Sequence, residues 1–355
     1  MKKIVNLLLL LLFLTGCKKY LYYTDERSLI NINKKSFVYT QESILLVSDL
    51  ASNILSYPII PGSVNVRSTY SKHDTNCIIY KEGFDYTIDY NLGKIYRTLM
   101  SRMPDYSKYS FFGINDFNHN IYTNYSNNSY FVWIDYRSYN KYIFEKENNQ
   151  KNLSIFYKKL LSGKDLNIVS YGNSITAGAE ASKNEYRFQL RWIKYLNTFF
   201  PRSKINFKDV SIPGYNSSDG ILFWDSYLGL TNPDLVLLGF GMNDANLGAL
   251  TPKQYKNNLI TLANMIRDLK HAEVIIYSAF RPNDNWHYSS HTMDQFANAA
   301  KEAANEVNCT YVDVFNTFEK VFKRKGQSSI LANNINHPNN YGHYLYFEAF
   351  KSIKF

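Results

Sequence analysis

From residue 166 to the C-terminus, short apolar runs alternate with amphipathic stretches, and few folds accept that rhythm. Leu166–Tyr171, Asp234–Phe240, Glu273–Ala279 and Thr310–Val314 read as strands, with Ile205–Val210 as a weaker one. Val236-Leu237-Leu238 and Val274-Ile275-Ile276 are apolar at every position. A strand of that kind must be covered on both faces, which is the condition of a parallel sheet between helices. Phe188, Trp192, Tyr195, Leu196 and Phe199 fall on one side of a helix. The same spacing recurs in Tyr255, Leu259, Leu262, Ile266 and Leu269, and in Met293, Phe296, Ala297, Ala300, Ala304 and Val307. A last helix is expected from about Asn340 to Phe350. Residues 166–355 therefore predict a three-layer α/β/α domain with a mostly parallel sheet.

The preceding sequence has another texture. Phe37-Val38-Tyr39, Ile44–Val47, Val64–Val66, Cys77–Tyr80 and Phe131–Ile134 are short β-prone runs. Tyr86–Tyr90 alternates, Asn91–Lys94 supplies a turn, and Ile95–Thr98 resumes, as in a hairpin. Residues 36–140 are expected to form a small β-sandwich. A Lys-, Asn- and Glu-rich connector over 141–165, partly helical, separates it from the α/β domain. Tyr86, Tyr90, Tyr96 and Trp133 offer a glycan platform or, as the plainer account, packing between strands.

The N-terminus reads as a targeting segment. Lys2 and Lys3 precede an apolar run from Ile4 to Leu14, too short to span a bilayer comfortably. It closes in Leu14-Thr15-Gly16-Cys17, which resembles the bacterial lipoprotein signal. That resemblance implies removal of residues 1–16, acylation of Cys17 and a polar tether over 18–35. The protein is thus expected to be exported and lipid-anchored, on a periplasmic face or the cell surface. Cys77 and Cys309 remain, either as one disulfide or as two free thiols.

The net charge of +10 is dispersed. No Lys/Arg block or nucleic-acid motif tracks a phosphate backbone, so nucleic acid is not an expected partner. There is no GxGxxG or Walker sequence, and no Cys/His spacing suited to zinc, so neither a cofactor nor a metal is expected.

Chemistry-bearing residues gather at the predicted strand ends. Gly172-Asn173-Ser174-Ile175-Thr176 follows the first strand, Ile212-Pro213-Gly214-Tyr215-Asn216 the second, and Gly241-Met242-Asn243-Asp244 the third. Asn334-Ile335-Asn336-His337-Pro338 precedes the last helix. A parallel sheet brings such loops to one edge. A serine hydroxyl needs a base to become a nucleophile, and the charge that develops on a carbonyl oxygen needs fixed N–H donors.

Ser, Gly, Asn and His in these blocks and in this order resemble the SGNH hydrolases, the GDSL esterase/lipase superfamily. The resemblance covers about 166–352. It implies Ser174 as nucleophile, His337 as base, and an oxyanion hole of the Ser174 and Gly214 backbone N–H groups with the Asn243 amide. Two positions depart from the family pattern. Asn173 stands where an aspartate usually precedes the serine, and Asn334 stands where the acid usually lies three residues before the histidine. A Ser–His dyad is then expected. Its neutral orienter would be Asn334 or a backbone carbonyl, with Asp244 and Asp313 as alternative acids. Trp286 and His287, in a polar loop after Glu273–Ala279, are candidates for substrate binding. The expected reaction is ester hydrolysis, with O-acetyl groups on a polysaccharide as the substrate. The alternatives are a lipase, lysophospholipase or thioesterase on the same site, or an inactive glycan-binding lipoprotein.

Overall fold

The computed structural model describes residues 30–31, 36–122, 124–144, 148–248 and 250–354. The signal segment and Cys17 lie outside the described residues.

The N-terminal part is antiparallel. β1 (Ile30–Asn31), β2 (Ser36–Ile44), β4 (Asn65–Arg67), β5 (Ile79–Tyr80) and β8 (Val132–Ser138) form one sheet in the order β1-β2-β8-β4-β5. β3 (Ser52–Asn53), β7 (Lys94–Arg97) and β6 (Tyr86–Asp89) form another, in the order β3-β7-β6. The expected hairpin is the pairing of β6 with β7. The runs around Phe37 and Ile44 belong to one strand, β2, whose register against β8 shifts between Tyr39 and Glu42. Gln41, at φ 59°, makes that bulge, and its N–H donates to Asp135 Oδ1 at 2.6 Å. Ile44, Leu46, Ile54, Val66, Ile95, Val132 and Ile134 form a buried core that draws on both sheets.

Tyr86 and Trp133 are buried, so they serve packing, as in the plainer account. Between β7 and β8 the chain runs from Thr98 to Phe131 with no strand among the described residues. It forms short 3₁₀ turns instead, and Tyr106, Tyr109, Phe111 and Phe117 join the core of the α/β part. Leu45, Leu55, Tyr70 and Trp133 enter that same core.

The second half is the predicted α/β layer structure. β9 (Asn148–Asn149) and β15 (Ile353–Lys354) make a short parallel pair. The main sheet contains β10 (Leu166–Gly172), β11 (Ile205–Asp209), β12 (Leu235–Gly239), β13 (Glu273–Tyr277) and β14 (Thr310–Val312), all parallel. Its order is β11-β10-β12-β13-β14. This is the doubly wound 2-1-3-4-5 arrangement, with a switch point between the first and third strands.

Right-handed crossovers send the helices to opposite faces as the order reverses. α2 (Phe188–Phe199) packs with α8 (Asn340–Phe350), which also meets α7 (Val314–Lys325). α5 (Pro252–Lys270) packs with α6 (Met293–Glu306) and α3 (Ser217–Leu222). α1 (Ser154–Ser162) is the helical part of the connector, and α4 (Met242–Asn246) is a single short turn. Local chemistry sets the ends. Thr251 and Gln254 form a capping box with Pro252 at the first position of α5, and Asn339 accepts from Tyr341 N and Gly342 N at the start of α8.

The strand predicted to continue to Val314 stops at Val312, and α7, which the sequence pattern does not predict, follows it. In the structure Asp313 ends the strand by capping that helix, and Val314, Phe318, Val321 and Phe322 form its buried stripe.

Candidate active site

Every block singled out by the sequence lies at the C-terminal edge of the parallel sheet, as the topology requires. Gly172 closes β10 against Gly239 of β12 so tightly that a Cβ would lie 2.1 Å from the Gly239 carbonyl oxygen. The chain then turns at Asn173 without entering a helix, because the next one begins only at Phe188. Ser174 therefore caps nothing. Its turn is held by Ala177 N to Asn173 O and by Ala179 N to Ser174 O, both at 2.9 Å. Thr176 Oγ1 anchors the turn to Gly239 O at 2.9 Å and to Tyr277 OH at 2.7 Å. The serine hydroxyl is left half-buried at the sheet edge.

Ser174 Oγ lies 2.9 Å from His337 Nε2, so residues far apart in the sequence meet as expected. The loop carrying the histidine is built on Asn333. Its Oδ1 accepts from Ile335 N at 3.0 Å and from Asn336 N and His337 N at 2.9 Å. Leu331 bridges Pro338, and Ala332 N donates to His337 O at 2.9 Å.

Asn334 does not orient His337. It sits at φ 56°, buried, and its Oδ1 accepts from Asn283 Nδ2 at 3.1 Å and from Tyr106 OH at 3.3 Å. Among the described residues, no hydrogen bond joins this side chain to the imidazole. The alternative acids are also occupied elsewhere. Asp313 caps α7, and Asp244 accepts from Ser217 N at 2.9 Å and Gly241 N at 2.8 Å. Among the described residues no carboxylate pairs with His337. Burial alone pushes its pKa down to about 4, so the ring is neutral at ordinary pH.

The donor side is held together by that same Asp244, which ties the Gly241–Asn243 block to the start of α3 just beyond Gly214. Asn243 is buried, and its Nδ2 donates to Tyr215 O at 2.9 Å. An amide nitrogen carries two hydrogens, so a second remains. Gly214 is exposed at φ 85°, a conformation that favours glycine. Among the described residues, the backbone N–H groups of Ser174 and Gly214 donate to no acceptor.

Trp286 and His287 end in different environments. Trp286 is only 1% exposed, and its Nε1 donates to His119 Nδ1 at 2.9 Å, so it packs in the core and cannot stack on a sugar. The loop is pulled inward because Phe117 pairs with it, N to Asn285 O at 2.9 Å. His287 is at the surface with Nδ1 2.8 Å from Asp116 Oδ1, a contact within the protein. Asn333, Asn283 and Tyr106 went unnoticed in the sequence. Only Asn333 left a local sign, as a second asparagine in a turn-prone Asn-Asn pair. Among the described residues no three His, Cys, Asp or Glu side chains gather as a metal group, and Cys77 and Cys309 are both unpaired.

The fold and site together define a doubly wound α/β domain with a serine–histidine pair at its switch-point edge. Residues 170–345 match the family model of the GDSL-like Lipase/Acylhydrolase family, and the chain carries a domain of that family. No curated protein matches the chain. Among solved structures it is similar to a two-domain esterase active on acetylated mannans, at 21% identity and a TM-score of 0.47, over 57% of this chain and 52% of that one. It thus spans about half the length of that protein. It is also similar to an acetylxylan esterase from Geobacillus stearothermophilus, at 22% identity and a TM-score of 0.46, over 54% of this chain and 94% of that one.

Proposed function

We propose that this protein is a serine esterase that removes O-acetyl groups from a polysaccharide through an acyl-enzyme. The observation that carries the reading is the 2.9 Å contact between Ser174 Oγ and His337 Nε2, with N–H donors beside it. The neutral ring presents an unprotonated Nε2 to the hydroxyl. His337 takes the Ser174 proton as Oγ attacks the ester carbonyl and gives it to the departing sugar oxygen. Water then attacks the acetyl-serine with the same histidine as base, releasing acetate and restoring the hydroxyl. The Ser174 and Gly214 N–H groups and the second Asn243 hydrogen receive the oxyanion in both halves.

The polysaccharide follows from where the protein is proposed to work. Export and a lipid on Cys17 would place it outside the cytoplasm, where polymers rather than internal metabolites are met. An acyl chain on Cys17 is the attachment proposed; no helix among the described residues is long and apolar enough to cross a membrane. Cys17→Ser should release the protein from the membrane fraction into the soluble one. Retention in the membrane would overturn the lipid assignment.

Acetylated mannan and acetylated xylan are the first polymers to test. Acetate release from one of them, with para-nitrophenyl acetate cleaved about tenfold or more faster than the octanoate, is the expected result. Preference for the octanoate would make the protein a lipase. Absence of turnover on any ester would leave a glycan-binding lipoprotein.

A further inference from the structure

The N-terminal part touches both loops that carry the reacting pair, through Ser126–Asn128 and Tyr106. On the histidine side, Asn127 N and Ser126 Oγ both donate to Ala332 O, at 3.3 and 3.2 Å. Asn127 Nδ2 donates to Ser328 O at 3.1 Å. Ala332 is thus gripped on its carbonyl by the N-terminal part, and on its amide it holds His337 O. Tyr106 OH reaches Asn334 Oδ1 in the same loop. On the serine side, Asn128 Nδ2 donates to Glu180 Oε2 at 2.9 Å. Glu180, at φ 64°, ends the turn that Ser174 begins.

A second tier of contacts lies just upstream. Ser43 Oγ donates to Ser329 O at 2.6 Å, Arg324 Nε donates to Ile54 O at 3.0 Å, and Lys325 pairs with Glu42. Segment 324–334, which leads into the histidine loop, is therefore bonded repeatedly to the N-terminal part.

An imidazole paired with a carboxylate has its plane and height fixed from behind. His337 has no such partner among the described residues, so the backbone beneath it must set its position. A displacement of about 1 Å at a reacting group costs on the order of 100-fold in rate. We propose that Tyr106 and Ser126–Asn128 are positioning residues that hold the His337 loop and the Ser174 turn at reacting distance. The accessory β region is then part of the catalytic assembly. This inference rests on Ser174 and His337 being nucleophile and base.

The test compares full-length variants. Tyr106→Phe combined with Asn127→Ala removes two donors from the clasp. Tyr70→Phe removes the 2.6 Å bond to Arg191 NH2, which joins the same two parts of the chain away from the clasp. Two readouts are taken: kcat and KM on para-nitrophenyl acetate, and the titration of the His337 imidazole by NMR. In the clasp variant kcat should fall about 10- to 100-fold with KM within about twofold, while Tyr70→Phe stays within about twofold in both. The His337 titration should move up toward the ordinary histidine value as the loop admits water. A clasp variant that loses no more kcat than Tyr70→Phe overturns the proposal. If the wild type cleaves no ester, the titration decides alone. A shifted midpoint then sustains the positioning while the esterase reading falls, and an unmoved one overturns the positioning as well.

Discussion

Alanine at His337 is expected to lower kcat on para-nitrophenyl acetate by about 10⁴- to 10⁶-fold, and alanine at Ser174 by a similar factor. The hydroxyl is a poor nucleophile unless its proton leaves as the bond forms, and Nε2 of His337, at 2.9 Å, is the acceptor in place. The two losses should not add. Once either partner is gone the other has nothing to act on, so the double variant should be no slower than the worse single one. A double variant slower by the product of the two factors would show independent roles and sink the dyad.

The pH profile is part of the same expectation. His337 must be neutral to act as base, and burial holds its pKa down to about 4. The acidic limb of kcat/KM should then fall near pH 4, well below the ordinary histidine value of about 6.5. Stability follows the same sign. A ring whose folded pKa lies below its unfolded one favours folding above about pH 6.5, and this contribution drains away as pH falls toward 4. His343, also depressed by burial, acts in the same direction. Melting curves at each pH separate loss of fold from protonation of the base. An acidic limb near 6.5 in a fully folded protein would mean that the free enzyme keeps its histidine hydrated or charge-supported.

Asn243→Ala should cost about 10²- to 10³-fold in kcat with little change in KM, because a donor aimed at the oxyanion matters most when the charge has formed. One hydrogen of its Nδ2 already belongs to Tyr215 O, so the variant also leaves that carbonyl without its donor. A stability loss of about 1 kcal/mol is expected alongside the kinetic one. Asn243→Asp preserves the shape but offers no N–H, and it should be at least as slow as the alanine variant. A loss below about tenfold in either would place the oxyanion donors elsewhere.

The sheet and the reacting pair were legible in the sequence because each depends on local signals. All-apolar strands such as Leu235–Gly239 have one environment open to them, and Ser174, Gly214, Asn243 and His337 each sit just beyond a strand or before a capped helix. What stayed hidden was direction. The spacing of Asn334 from His337 matched an acid position, but a left-handed backbone at Asn334 sends its amide to Asn283 and Tyr106, while neighbouring Asn333 organises the loop. The exposed-looking Trp286 is buried because Phe117, distant in sequence, lies against its loop. α7 was hidden by Asp313, a single residue that both ends a strand and starts a helix.

Glu42 and Lys325 are each only about 1% exposed, one in the N-terminal sheet and the other at the end of α7. Separating the two parts would break this buried ion pair and would bare the aromatic surface under Tyr70 and Trp133. The connector over 141–165 is thus a poor place to cut. The gene can be shortened there, but the polypeptide loses a partner that its chemistry depends on. Such a pair of segments is inherited, folded and degraded as one object.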